Sequence, residues 1–153
     1  MKRISFLLIV FLGSLGAGSL SSIAATAQKQ VTDIAHTPKV GSAERKAIMD
    51  VLREEYKGQT ADRVTFKVHY IKVHGGWAWA DVTPLDEKGK AVAEGGSSLL
   101  HQEQGKWVVI DLSTIEADPN DPLGAEDASP GFIKNLRKKY SDIPTDIFPK
   151  KHG

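Results

Sequence analysis

The chain has 153 residues, no cysteine and nearly balanced charge, with 20 basic and 19 acidic side chains. Without cysteine it can form no disulfide, thiolate metal site, covalent haem attachment or thiol nucleophile. The charge balance argues against nucleic-acid binding and against electrostatic docking on an anionic membrane, because both need a basic surface.

The first 27 residues have the pattern of a secretory signal peptide. Lys2 and Arg3 precede an apolar run over 4–12, and Ala25-Thr26-Ala27 is a small-residue cleavage motif before Gln28. The apolar run is too short to cross a bilayer, which needs about 20 residues. We therefore expect cleavage after Ala27, a periplasmic or secreted protein, and no integral membrane association once the signal is removed. An uncleaved N-terminal anchor is the alternative.

Residues 28–41 are polar and aperiodic, which predicts a flexible leader before a single domain over 42–149 and a polar tail over 150–153. Ser42 is a candidate N-cap for a first helix, which Gly58 would end. Apolar side chains recur between them at helical spacing. We expect the apolar face of this helix to pack on a sheet through Ile48, Val51 and Leu52.

The apolar period changes to two after residue 63, which predicts four antiparallel strands joined by short turns. These strands cover approximately 64–71, 77–82, 91–101 and 107–112. A slip in the alternation at Tyr70-Ile71 indicates a bulge in the first strand. Gly95-Gly96 interrupts the third strand, where we expect a bulge or a close approach of backbones.

The C-terminal part begins with an acidic loop over 113–129, after which Ser129 and Pro130 start a second, short helix. Pro144 prevents its continuation, and Ile147 and Phe148 are too apolar to stay in water, so we expect this segment to dock. The order of elements predicts an α+β domain in a cystatin-like or NTF2-like arrangement. It has an N-terminal helix on a four-stranded antiparallel meander, a short C-terminal helix and a docked tail.

The second and fourth strands each have two distinct faces. One predicted face is small and aliphatic, with Ala78, Ala80, Val82, Val108, Ile110 and Leu112. The other is aromatic and acidic, with Trp77, Trp79, Asp81, Trp107, Val109 and Asp111. Indole rings can stack on a ligand and carboxylates can orient it, so the candidate ligand-binding residues are Trp77, Trp79, Asp81, Trp107 and Asp111. Alternatively, the second helix and the tail cover these rings as core.

Catalytic, metal and cofactor sites have weaker signals. Asp81 and Asp111 could serve as the acid and base of a small cell-envelope hydrolase, or they could cap turns and form ion pairs. The strand histidines, His69, His74 and His101, lack the spacing of a zinc site. We therefore expect no metal and no cofactor. The favoured function is a non-enzymatic exported binding domain for an unknown protein or small ligand in the cell envelope; the hydrolase is the alternative.

Several short motifs are spaced along residues 44–149. They are Arg45, Ile48 and Leu52-Arg53 in the helix, a Gly-x-Trp-Ala motif ending in Gly76-Trp77-Ala78, Leu99-Leu100, Gly105-Lys106-Trp107-Val108-Val109, and Ile147-Phe148-Pro149. This pattern resembles that of a family of small exported bacterial proteins. The loop over 118–129 departs from the family pattern, in which a Thr-Asp-Val stretch precedes an aromatic residue. The resemblance implies export and the α+β fold, and it transfers no catalytic residue.

Overall fold

The computed structural model describes residues 34–57, 63–121, 124, 125 and 128–150. The predicted signal peptide, the leader before residue 34, Gly58 and the chain after residue 150 lie outside this description. The described elements are α1 (Ala43–Glu55), β1 (Thr65–His74), β2 (Trp77–Leu85), β3 (Gly96–Glu103), β4 (Lys106–Ile110) and α2 (Pro130–Lys139), with short 3-10 turns at Leu112–Thr114 and Thr145–Ile147. The predicted α+β fold is confirmed. Among these residues, no helix is long and apolar enough to span a membrane.

The first helix begins where its N-cap was predicted. The Ser42 hydroxyl accepts a hydrogen bond from the Arg45 backbone N–H at 3.2 Å, which satisfies one of the N–H groups that a helix start leaves unpaired. Ile48 and Leu52 are buried against the sheet as predicted, together with Met49. Val51 is only partly buried.

The four strands form one antiparallel sheet in the order β1-β2-β3-β4. The predicted bulge in β1 lies between Val68 and Tyr70, slightly earlier than the alternation indicated. The third strand starts at Gly96, five residues later than the predicted 91–101 span. Gly95 confirms the close backbone approach, because a Cβ there would lie 2.9 Å from the carbonyl oxygen of Val82.

The face assignment of β4 was wrong by one residue. Trp107 opposes Gln102 on β3, and Ile110 opposes Leu99, which in turn pairs with Trp79. Cross-strand partners share a face, so Ile110 lies with Trp79, whereas Trp107 lies on the α1 side. The two-residue turn between β3 and β4 fixes this register. Its residues, Gln104 and Gly105, both adopt the positive φ of a type I′ hairpin turn.

Each face of the sheet carries its own core. The helix-side core packs α1 on the sheet and comprises Ile48, Met49, Leu52, Ile71, Val73, Ala78, Ala80, Val82, Leu100 and Trp107. The tail-side core packs α2 and the C-terminal segment on the opposite face and comprises Trp77, Trp79, Leu99, Ile115, Ala128, Phe132, Leu136, Ile143, Ile147 and Phe148. The predicted docking of Ile147 and Phe148 is thereby confirmed.

Candidate functional site

Trp77 is part of the tail-side core and is not an open stacking surface. Its side chain is 2% exposed, and its ring stacks on His101 at a centroid distance of 4.0 Å. The Tyr140 ring, at the C-cap of α2, packs edge to face with the Trp77 ring at a centroid distance of 5.4 Å. The Trp77 indole N–H donates to the Asp142 carboxylate at 3.2 Å. The helix and the segment after it therefore cover this ring.

Trp79 is covered even more completely, with 0% exposure. Phe132 of α2 packs against it with ring centroids 6.4 Å apart, and Phe148 of the tail makes an edge contact at 5.1 Å. The alternative interpretation, in which α2 and the tail lie over these two indole rings, is the one that the structure confirms.

The other three predicted ligand-binding residues occupy separate places. Trp107 is buried on the opposite side of the sheet, in the helix-side core. Asp111 caps the 3-10 turn after β4. Its carboxylate accepts two hydrogen bonds from Ser113, one from the backbone N–H at 2.9 Å and one from the side-chain hydroxyl at 2.7 Å. These bonds hold the pKa of Asp111 below its usual range. Asp81 is half-buried on β2, opposite Tyr70. The five side chains therefore do not share one surface.

A groove does form on the tail side of the sheet, next to the covered indoles. It is a shallow groove open to solvent, with a volume of about 630 Å³, between β1, the segment before α1 and the C-terminal tail. We call it the strand–tail groove, and its walls are Ala35, Tyr70, Lys72, Asp146, Phe148, Pro149 and Lys150. It is connected to the predicted residues, because Lys72 is the cross-strand partner of Trp79 and Tyr70 that of Asp81.

The Asp146 carboxylate fastens the three segments that build the groove. One of its oxygens accepts a hydrogen bond from the His74 ring at 2.8 Å, at the end of β1. The other accepts the Ala35 backbone N–H at 3.2 Å. His36 then extends the edge of β1 through two backbone hydrogen bonds with Val73, each 2.9 Å long. The segment before α1 and the tail are thus both attached to β1.

These contacts also determine the charge of the groove. The hydrogen bond from His74 lowers the pKa of Asp146, so this carboxylate is ionised at neutral pH and already holds two donors. Burial raises the pKa of the Tyr70 hydroxyl, with a further rise from Asp146, so the phenol stays neutral. Lys72 and Lys150 form no salt bridge with any described acidic residue.

Sequence reasoning missed the groove residues because they come from three distant parts of the chain. His74 and Asp146 are 72 residues apart, and no local spacing connects them. The usable signal was the apolar Ile147-Phe148 pair beyond a helix-stopping proline, which located the tail but not the segments beside it. Within the described residues, no group of three histidine or acidic side chains is arranged to hold a metal ion.

Comparison of the chain with family models, curated protein sequences and solved structures finds no significant match. The resemblance to small exported bacterial proteins therefore stays a prediction.

Proposed function

We propose that this chain is an exported, non-enzymatic binding domain that holds its ligand in the strand–tail groove. The observation that carries the proposal is the groove itself, whose volume of about 630 Å³ falls within the usual range of small-molecule sites, roughly 300–1,000 Å³. Its walls combine aromatic and aliphatic side chains with a few charged groups, which is the composition typical of ligand sites.

Support for a binding role over catalysis comes from the state of the carboxylates. A hydrolase acting through paired carboxylates needs two of them facing one substrate with different pKa values. Among the described residues that line the groove, Asp146 supplies the one carboxylate, and two donors are hydrogen-bonded to it. Asp111 caps a turn, so the proposed Asp81–Asp111 pair lacks its second member.

Support for export comes from the sequence of residues 1–27. The basic start, the short apolar run and the Ala25-Thr26-Ala27 motif agree with cleavage after Ala27. The full-length chain should be expressed in a bacterial host with a C-terminal tag, fractionated and measured by intact mass. A periplasmic product beginning at Gln28 supports export, and a membrane-bound product that retains Met1 would refute it.

Binding is tested with mature protein purified from the envelope and analysed by native mass spectrometry. The groove variant is Lys72→Glu, and its matched control is Lys67→Glu, an exposed lysine on the same strand outside the groove. We expect a non-covalent adduct on the wild type and the control that is lost from the groove variant. Equal adducts on all three proteins, or none, would refute the groove as the site. Conversion of the bound compound by the protein would refute the non-enzymatic assignment.

A further inference from the structure

The walls of the strand–tail groove indicate what its ligand is made of. Phe148, Pro149 and Ala35 provide apolar surface, and the half-buried Tyr70 ring adds an aromatic wall. Phe148 is 4% exposed and packs on Trp79 with ring centroids 5.1 Å apart, so the core holds this wall in place and only a small part of the ring faces the groove. Rigid aromatic walls favour a flat apolar body, which buries its surface without ordering mobile side chains.

The charges at the groove favour an anion. Lys72 projects from β1 and Lys150 from the tail, and among the described residues neither forms a salt bridge with an acidic side chain. The one acidic wall residue, Asp146, has each of its oxygens hydrogen-bonded to the protein. An incoming anion therefore meets two ammonium groups and one carboxylate, whereas an incoming cation has only that carboxylate to pair with, and each of its oxygens already accepts one hydrogen bond.

From this arrangement we infer that the strand–tail groove binds a small organic monoanion with a flat apolar body, the chemistry of an aryl carboxylate. The inference rests on the proposed binding function and names its ligand class. The apolar body lies against Tyr70 and Phe148, and the anionic group lies toward Lys72 and Lys150. A whole protein partner fits less well, because a stable protein interface covers roughly 800 Å² on each partner, whereas these walls come from seven residues.

The test uses three probes with the mature protein in low salt, followed by NMR titration of the backbone amides. The probes are 2-naphthoate, its neutral counterpart 2-naphthamide, and acetate, which has the charge without the apolar body. We expect naphthoate to bind tighter than naphthamide by about two- to thirtyfold, the affinity ratio that two partly exposed ion pairs supply. Acetate should bind weakest of the three probes. Added salt should reduce the ratio of naphthoate affinity to naphthamide affinity.

Variants then assign the effect to the groove. Lys72→Gln and Lys150→Gln should each weaken naphthoate binding more than naphthamide binding, which brings the ratio of the two affinities toward one. Lys67→Gln, the control on the same strand, should keep the ratio of the wild type. The backbone amide signals that shift during the NMR titration should include those of Ala35, Tyr70 and Lys150.

Three results would overturn the inference. Equal affinity for naphthoate and naphthamide would mean that the groove recognises only apolar surface. An equal loss in Lys67→Gln would mean that the charge effect is not local. Failure of all three probes, while the envelope adduct is still lost from Lys72→Glu, would reject this ligand class and leave the proposed binding function intact. Failure of the probes with no adduct at all would reject both.

Discussion

Replacing Phe148 by alanine is the sharpest test of the docked tail. The side chain is 4% exposed and its ring packs edge to face on Trp79 with centroids 5.1 Å apart, so its removal leaves a cavity in the tail-side core. Such Phe-to-Ala changes cost about 3–5 kcal/mol. Because the ring also borders the strand–tail groove, neighbouring groups and water can partly fill the space. We therefore expect the lower end, about 3 kcal/mol.

The assay is urea unfolding of the mature protein followed by tryptophan fluorescence. With a slope of about 1–3 kcal/mol per molar urea for a small domain, the midpoint should fall by roughly 1–3 M. Val40→Ala is the control, since Val40 is 87% exposed and its loss should change stability by less than about 0.5 kcal/mol. Emission of the folded variant should shift to the red, because Trp79 loses part of its cover.

The reasoning would be refuted if the Phe148 and Val40 variants unfolded at the same urea concentration with unchanged emission. A truncation after Ser141 provides a second measurement, because it removes Ile143, Ile147 and Phe148 together. It should lower the melting temperature more than the point variant does. A truncated protein that keeps its stability and fluorescence but no longer binds its ligand would make the tail a binding element alone.

Three further pairs of measurements test the rest of the fold. Leu52→Ala should cost about 2–5 kcal/mol because the side chain is buried in the helix-side core. Arg53→Ala should cost about 1 kcal/mol, mainly through the lost hydrogen bond to the Val64 carbonyl oxygen, because the Arg53–Asp50 salt bridge is partly exposed and contributes little. Gly95→Ala should destabilise by about 1–3 kcal/mol, since its Cβ would lie 2.9 Å from a β2 carbonyl oxygen; Gly96→Ala, with open space, should not. The lowered pKa of Asp146 means that its ionised form stabilises the fold at neutral pH and that this contribution is lost as pH falls through the folded-state pKa. Asp146→Asn should therefore lower the melting temperature at pH 7, and the difference from wild type should shrink on acidification.

Local chemistry explains why the helices could be predicted from the sequence. Ser42 and Ser129 are both N-caps, and the Ser129 hydroxyl accepts the Phe132 backbone N–H at 3.2 Å. Each signal lies within four residues of the helix it starts, so tertiary structure is not needed to detect it. The strands were detected for a similar reason, because alternation is a property of consecutive residues.

The side of the sheet on which Trp107 lies could not be derived in the same way. Within one strand, alternation shows which residues share a face, but it does not relate one strand to another across an intervening strand. That relation depends on the register between β2, β3 and β4, and a shift of one residue exchanges the two faces. The pairing of Glu103 with Lys106 across a two-residue turn sets this register.

The groove is complete only when the C-terminal tail is docked on β1. The stability of that docking is therefore linked to the proposed ligand binding. Asp146 holds the tail to β1 through His74 and holds the segment before α1 through Ala35, so all three walls assemble around one carboxylate. A ligand that contacts all three walls binds the docked state and not the undocked one, and it therefore stabilises docking by mass action. By the same linkage, a change that loosens the tail, such as Phe148→Ala, reduces the fraction of binding-competent protein and weakens the apparent affinity by that fraction. The apolar tail is therefore part of the core and also one wall of the proposed site.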